Sequence, residues 1–370
     1  MNNFFQRYLD SWRFTGWMRH DITLTIVLGI GVVFILFLLM KRWKIRTSFI
    51  VLMAYFAGSS FIMIVFGLAG RSFPIQAMSS VYTDPEETVA VQLVRGSENN
   101  GTSNGITHII PHYQLVAINV HTGEKQWTQS FASRETLIGP FMDGLLIHHS
   151  DGEVGTLSLL HMKTGKEKLS KKDFAQQYKQ VVELISSSAG RMAVLDKVLY
   201  FEGIDGVYYQ FDGKQLHEKP EAQEYLSTKF FVESTIPNYF ASHDRPVDDE
   251  EYEKISEFKD DVLREPAIQP VANLEPQIMD VDLNQNTALV SYLKTIQKNA
   301  EQFVLFYDMK EHRMIWKANI GRVNSEQNHP GVRVLAQSLA IQTGDEFILL
   351  DKATGNEISR YELRWNRPIR

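Results

Sequence analysis

Leu115–Trp127, LVAINVHTGEKQW, reads as an apolar strand, a tight polar turn, and a second strand ending in an aromatic. Val116, Ile118 and Val120 alternate along its first half, the period of a half-buried strand. Asn119 opens the turn, where a short amide bonds the backbone just ahead; Thr122-Gly123 closes it, with glycine supplying a positive φ. The unit recurs at Leu157–Leu169 (LSLLHMKTGKEKL), Leu305–Trp316 (LFYDMKEHRMIW) and Ile348–Ser359 (ILLDKATGNEIS). Aligned without gaps, the turn opens on Asn119, His161, Asp308 and Asp351. It closes on Gly123, Thr164-Gly165, His312 and Thr354-Gly355. A degraded copy, GVYYQFDGKQL (Gly206–Leu216), carries Asp212-Gly213 in its turn.

Successive turn positions lie 42 residues apart (119 to 161) and 43 apart (308 to 351). That period, with strand-turn-strand content, predicts four-stranded propeller blades. Dividing Val81–Arg370 by this repeat, and allowing for two helical insertions, predicts six to seven blades, some degenerate. Val89–Val94 is expected to close the ring by pairing with the last blade, since an open edge invites aggregation.

The pattern strand–Asp/Asn–x–x–Thr-Gly–x–x–x–Trp, clearest in AINVHTGEKQW, resembles the repeat of the pyrroloquinoline-quinone-type (quinoprotein-like) β-propellers. The resemblance spans roughly Val81 to Leu363 and implies blade structure. Catalysis does not travel with it, because these turn residues hold blades together in enzymatic and non-enzymatic members alike. The enzymes of that family are larger, often use adjacent cysteines, and hold calcium with Glu, Asn and Asp. This chain has no cysteine and no matching calcium set. The family's non-catalytic members dock other proteins through their rims.

Lack of cysteine also excludes disulfides, thiolate metal sites and a lipidated cysteine. Net charge is −6, against a nucleic-acid partner. No GxSxG, HExxH, phosphate-cradling loop or calcium-loop motif is present. His108, His112, His121, His148, His149 and His161 cluster in sequence and are read as surface strand-and-turn residues. The expectation is a non-enzyme with no cofactor and no metal.

Residues 1–21 interleave Phe4, Tyr8 and Trp12 with arginines, as in an interfacial amphipathic segment. Residues 22–40 and 47–70 are charge-free runs, each long enough to cross a hydrocarbon core of about 30 Å. A two-helix hairpin anchor is expected, joined at 41–46 by the basic link Lys41, Arg42, Lys44 and Arg46, which points to the cytoplasm. A connector, 71–80, would lead to an extracytoplasmic propeller at 81–370 on the plasma (inner) membrane.

Two stretches break the strand pattern. Phe174, Tyr178, Val181, Val182 and Ile185 fall at helical spacing behind Asp173, predicting a helical insertion near 171–186. Residues 242–265 form an acid-rich excursion with Glu250 four before Lys254. Function is read as an envelope scaffold that docks another protein or a polymer through its rim. The alternatives are a quinone-type oxidoreductase or sensor, and a regulator of other membrane proteins acting through the helix hairpin.

Overall fold

The computed structural model describes Ile30, Gly31, Phe34, Met53, Tyr55, Gly58 and residues 75–369, apart from 104–105, 133–134, 152–153, 237–238, 269–275, 296–299, 323–330, 344–345 and 363–366. Its strands form five antiparallel sheets, each a run of chain-consecutive strands. Blade 1 holds β1 (Ile75–Ala77), β2 (Tyr82–Thr83), β3 (Val89–Ser103), β4 (Ile106–Asn119) and β5 (Lys125–Phe131). Blade 2 holds β6 (Glu135–Phe141), β7 (Gly144–Asp151), β8 (Val154–His161) and β9 (Glu167–Leu169). After α1 (Lys171–Gln177) and α2 (Lys179–Val182) comes blade 3: β10 (Met192–Leu195), β11 (Val198–Glu202), β12 (Tyr208–Phe211) and β13 (Leu216–Glu218). An arm of three helices follows, α3 (Ala222–Thr235), α4 (Tyr239–His243) and α5 (Asp249–Arg264). Blade 4 is β14 (Gln277–Asp282), β15 (Thr287–Leu293), β16 (Glu301–Asp308) and β17 (Arg313–Arg322). Blade 5 is β18 (Gly331–Val334), β19 (Ser338–Thr343), β20 (Glu346–Asp351), β21 (Glu357–Glu362) and β22 (Arg367–Ile369).

The blades form a ring because each buries a face against the next. Leu93 and Leu115 of blade 1 share a cluster with Leu145 and Leu160 of blade 2. Leu157 of blade 2 packs with Phe201 and Phe211 of blade 3. Blades 3 and 4 meet in one cluster with the arm, where Tyr200 and Leu305 join Val232, Ile255 and Val262. Val304 and Trp316 of blade 4 pack with Leu339 and Ile348 of blade 5. Phe347, Leu349 and Tyr361 of blade 5 then meet Val116 and Ile118 of blade 1, closing the circle. Each fully buried Leu, Ile or Phe in these seams contributes about 1.5–3 kcal/mol.

Among the described residues the propeller therefore has five blades, not six or seven. Much of the chain counted towards extra blades is the arm. Closure also differs from expectation: β3 pairs with β1, β2 and β4 inside blade 1, and the ring shuts through side chains. Gln92 Nε2 donates to Gln342 Oε1 at 3.0 Å across that seam, and the Ala336 amide donates to Glu87 Oε2 at 2.9 Å. The Asn- and Gly-rich residues 96–103 extend β3 against β4 in a long hairpin.

A fault recurs at one place in four blades. The register of the third and fourth repeat strands slips between Ala117/Ile118, Leu159/Leu160, Phe306/Tyr307 and Leu349/Leu350, always just before the turn-opening residue. The extra residue on the outer strand is Gln126, Lys168, Ile315 and Ile358 respectively. Such a bulge re-aims the side chain that follows it. Ile315 and Ile358 are exposed because they are these bulged residues. Blade 3 has no such slip, and the chain leaves it for the arm.

Among the described residues no helix is long and apolar enough to cross a membrane. The multi-pass inner-membrane placement is corrected on that finding. Residues 1–21, 22–40, 41–46 and 47–70, where the anchor was expected, lie outside the described residues apart from the six isolated positions named above.

Candidate functional site

The repeat turns are structural in placement. Asn119 Oδ1 accepts the His121 and Thr122 amides at 2.8 and 2.9 Å. Asp351 Oδ1 accepts the Thr354 amide and hydroxyl at 2.8 and 2.7 Å, while Asp308 and Asp212 each accept two amides further along their own turns. Thr122 and Thr164 hydroxyls bond the backbone two residues on. Gly123, Gly165 and Gly355 sit near φ +70, and His312 holds φ 48 in the position they occupy. Trp127 Nε1 donates to the Met162 carbonyl at 2.9 Å, and Trp316 Nε1 to the Lys352 carbonyl at 2.8 Å. Each indole thus docks on the turn of the next blade, over Gly165 or Gly355. Ser359, at the same repeat position, lies against Gly123. At Gly213 the contact is Met142, from the first hairpin of blade 2.

Two histidines read as surface residues are buried, His148 at 1% and His149 at 5% exposure. His148 Nε2 lies 2.8 Å from the Ser186 carbonyl. His149 links Ser158 Oγ (2.7 Å from Nε2) to Glu135 Oε1 (3.2 Å from Nδ1). Burial raises the Glu135 pKa, but the imidazole and the Ala132 amide outweigh it, so the carboxyl sits below its usual range. The connectivity is that of a serine–histidine–acid relay. Ser158, however, is 3% exposed, buried away from any substrate, and the network ties three strands of one blade.

Polar side chains also converge at the axis, where the first strands of the blades meet. A cavity of about 500 Å³ is lined there by Tyr82, Thr136, Ile138, Met192, Gly331 and, from α3, Lys229 and Glu233. Lys229 and Glu233 are ion-paired one helical turn apart. Beside the axis, Arg333 is pulled below its ordinary pKa by burial, against the opposing pull of Asp244. Asp244 is raised by burial, and its carbonyl accepts the Asp196 amide at 2.8 Å. Among the described residues no group of three His, Cys, Asp or Glu is placed to hold a metal ion.

The arm is held to blade 4 at two points. His243 Nε2 meets Asp280 Oδ1 of β14 at 3.1 Å, with Asp280 pushed up by burial. Burial opposes charge on His243, yet the Asp280 carboxylate prevails and raises its pKa. At the far end Glu265 accepts from Tyr307 at 2.9 Å and lies 2.9 Å from His312 Nδ1. Ahead of both anchors, α3 buries Ala222, Thr228 and Val232 while presenting Phe230 at 71% and Phe231 at 53% exposure. The two rings meet edge-on at 5.9 Å, and Phe231 lies 6.4 Å from Tyr252 of α5. Sequence reading missed this pair. Its only signal is two aromatics at positions that a one-faced helix would fill with polar residues.

No protein-family model matches the chain, and no curated protein matches it. Among solved structures, it is similar to the β-propeller domain of the Trilobed protease from Pyrococcus furiosus, with 8% identity, 76% of this chain and 83% of that one covered, and TM-score 0.25. A quinohemoprotein alcohol dehydrogenase from Pseudomonas putida aligns at 11% identity, 74% and 58% coverage, and TM-score 0.17. A Bacteroides ovatus protein of the dipeptidyl aminopeptidase IV type aligns at 6% identity and TM-score 0.22, over 75% of this chain. The chain spans 39% of that protein's length. At such scores the propeller assignment rests on the five sheets and their ring of seams.

Proposed function

We propose that this chain is a non-catalytic binding propeller, a scaffold that docks another protein through its helical arm. The observation that supports this is Phe230, 71% exposed on a helix whose other face is packed into the seam of blades 3 and 4. Phe231 beside it makes the exposed apolar surface contiguous, and contiguous apolar patches mark interaction sites. A photo-crosslinking residue at position 230, in cells making the full chain, tests it. The reading requires a discrete protein adduct from position 230 and none from Ile106 at the blade 1 hairpin. Equal labelling from both positions, or none from the arm, contradicts it.

The axial cavity favours a second reading, a small-molecule sensor. Its volume suits a compact ligand, and it combines apolar walls with a few polar groups. Native mass spectrometry separates the two: a stoichiometric few-hundred-dalton adduct supports the sensor, and a protein companion without one supports the scaffold.

A further inference from the structure

Resting on the scaffold reading, we infer that the arm receives a basic amphipathic helix of a partner protein. Its apolar face would lie on the Phe230–Phe231 ridge, and its cations on the acidic flank of α5. The rings supply the anchor. Phe230 and Phe231 stand edge to face beside Tyr252, so an incoming Leu or Met finds aromatic surface on more than one side. Aromatic anchors of this kind carry a large share of interface energy.

The flank supplies the sign of the partner. α5 lies alongside α3, where Thr228 Oγ1 meets Asp249 Oδ1 at 3.3 Å and the Asp249 amide meets Glu224 Oε1 at 3.4 Å. This places the acidic first turn of α5 next to the ridge. Ile255 and Val262 of α5 face inward, which turns Glu253, Glu257 and Asp260 to solvent. Of that helix's three cations, Lys254 and Arg264 are each joined to a carboxylate, Glu250 and Asp261, and Lys259 is half-buried, against seven carboxylates in the same helix. A surface combining an apolar ridge with uncompensated negative charge fits a helix with the opposite charge and the same apolar stripe. It repels an anionic membrane, which would want lysines here.

The experiment uses the full chain and a synthetic amphipathic Lys/Leu helix, with a scrambled peptide of equal composition and a Glu/Leu analogue as controls. The Lys/Leu helix should bind, and Phe230→Ser should weaken it about tenfold or more. A Glu253→Gln/Glu257→Gln variant should also bind less, with a shallower dependence on salt. Circular dichroism establishes that both variants remain folded. Equal binding by the scrambled or acidic peptide, or indifference to Phe230→Ser, overturns the inference. So does recruitment to vesicles of anionic lipid in place of the peptide. An adduct from position 230 to a protein lacking a basic amphipathic segment would overturn this inference while leaving the scaffold reading intact.

Discussion

Trp127 lies across Gly165 of the next blade, its ring carbons 2.6 Å from where a Cβ on that glycine would stand. The same fit joins Trp316 to Gly355. The glycine therefore does two things, holding a left-handed backbone and leaving room for the neighbouring indole. The bulge at Gln126 or Ile315 precedes each tryptophan and turns it out of its own sheet. The repeat motif is thus a device for joining blades, the tryptophan of one repeat packing on the turn glycine of the next.

Gly165→Ala should lower stability by about 2 kcal/mol or more, since it adds strain at positive φ to a clash with the ring. Trp127→Ala should cost about 3–5 kcal/mol. Because the two residues touch, the double variant should lose less than the sum of the two. Urea midpoints of the three variants and the parent check this.

Asp84 is 2% exposed and accepts the Thr88 amide, the Val89 amide and the Thr88 hydroxyl within 2.8 Å. Burial raises its pKa, but these donors and Lys163 of blade 2 bring it below the ordinary value. A depressed carboxyl stabilises the fold above its unfolded pKa of about 3.9, and that stabilisation goes as pH falls through the lower folded value. Asp84→Ala should cost about 1–3 kcal/mol at neutral pH and flatten the acid limb of the stability profile. Thermal melts across the acid range read both effects.

His243 behaves in the opposite sense. Its folded pKa is raised, so its contribution is complete below about 6.5 and is lost as pH rises through the folded value. The arm should therefore loosen from blade 4 as pH rises above the ordinary histidine range. Amide exchange of α4 should rise there, and His243→Gln should remove that pH dependence.

Ser158 should stay unlabelled by a fluorophosphonate probe in the folded protein, despite its relay-like partners. Labelling of Ser158 in the native state would show that substrate-sized reagents reach it and would reopen a hydrolytic role.

The turns were legible because their signals are local, whereas the arm begins at Ala222, twenty residues before the excursion expected at 242–265. Asn119, Asp308 and Asp351 each bond amides within three residues, so sequence spacing suffices to find them. Blade number was not legible, because α3 carries apolar residues on both its buried and its exposed faces and so lacks a clean helical period. His148 and His149 misled for a similar reason. Adjacent residues on a strand face opposite ways, and here each opposite side is covered, one by the Ser186 carbonyl and the other by Ser158. The axial polar cluster draws Tyr82, Asp244 and Arg333 from distant parts of the chain, and no spacing rule connects them.

The ring itself, on which the placement of cavity and arm depends, is tested most directly where its ends meet. The chain lacks cysteine, so Glu87→Cys with Ala336→Cys provides a thiol pair in an otherwise thiol-free protein. The account predicts that dibromobimane bridges the two thiols and becomes fluorescent in the double variant, and in neither single variant. Two reactive thiols that remain unbridged in the folded protein would contradict a ring closed between blades 5 and 1.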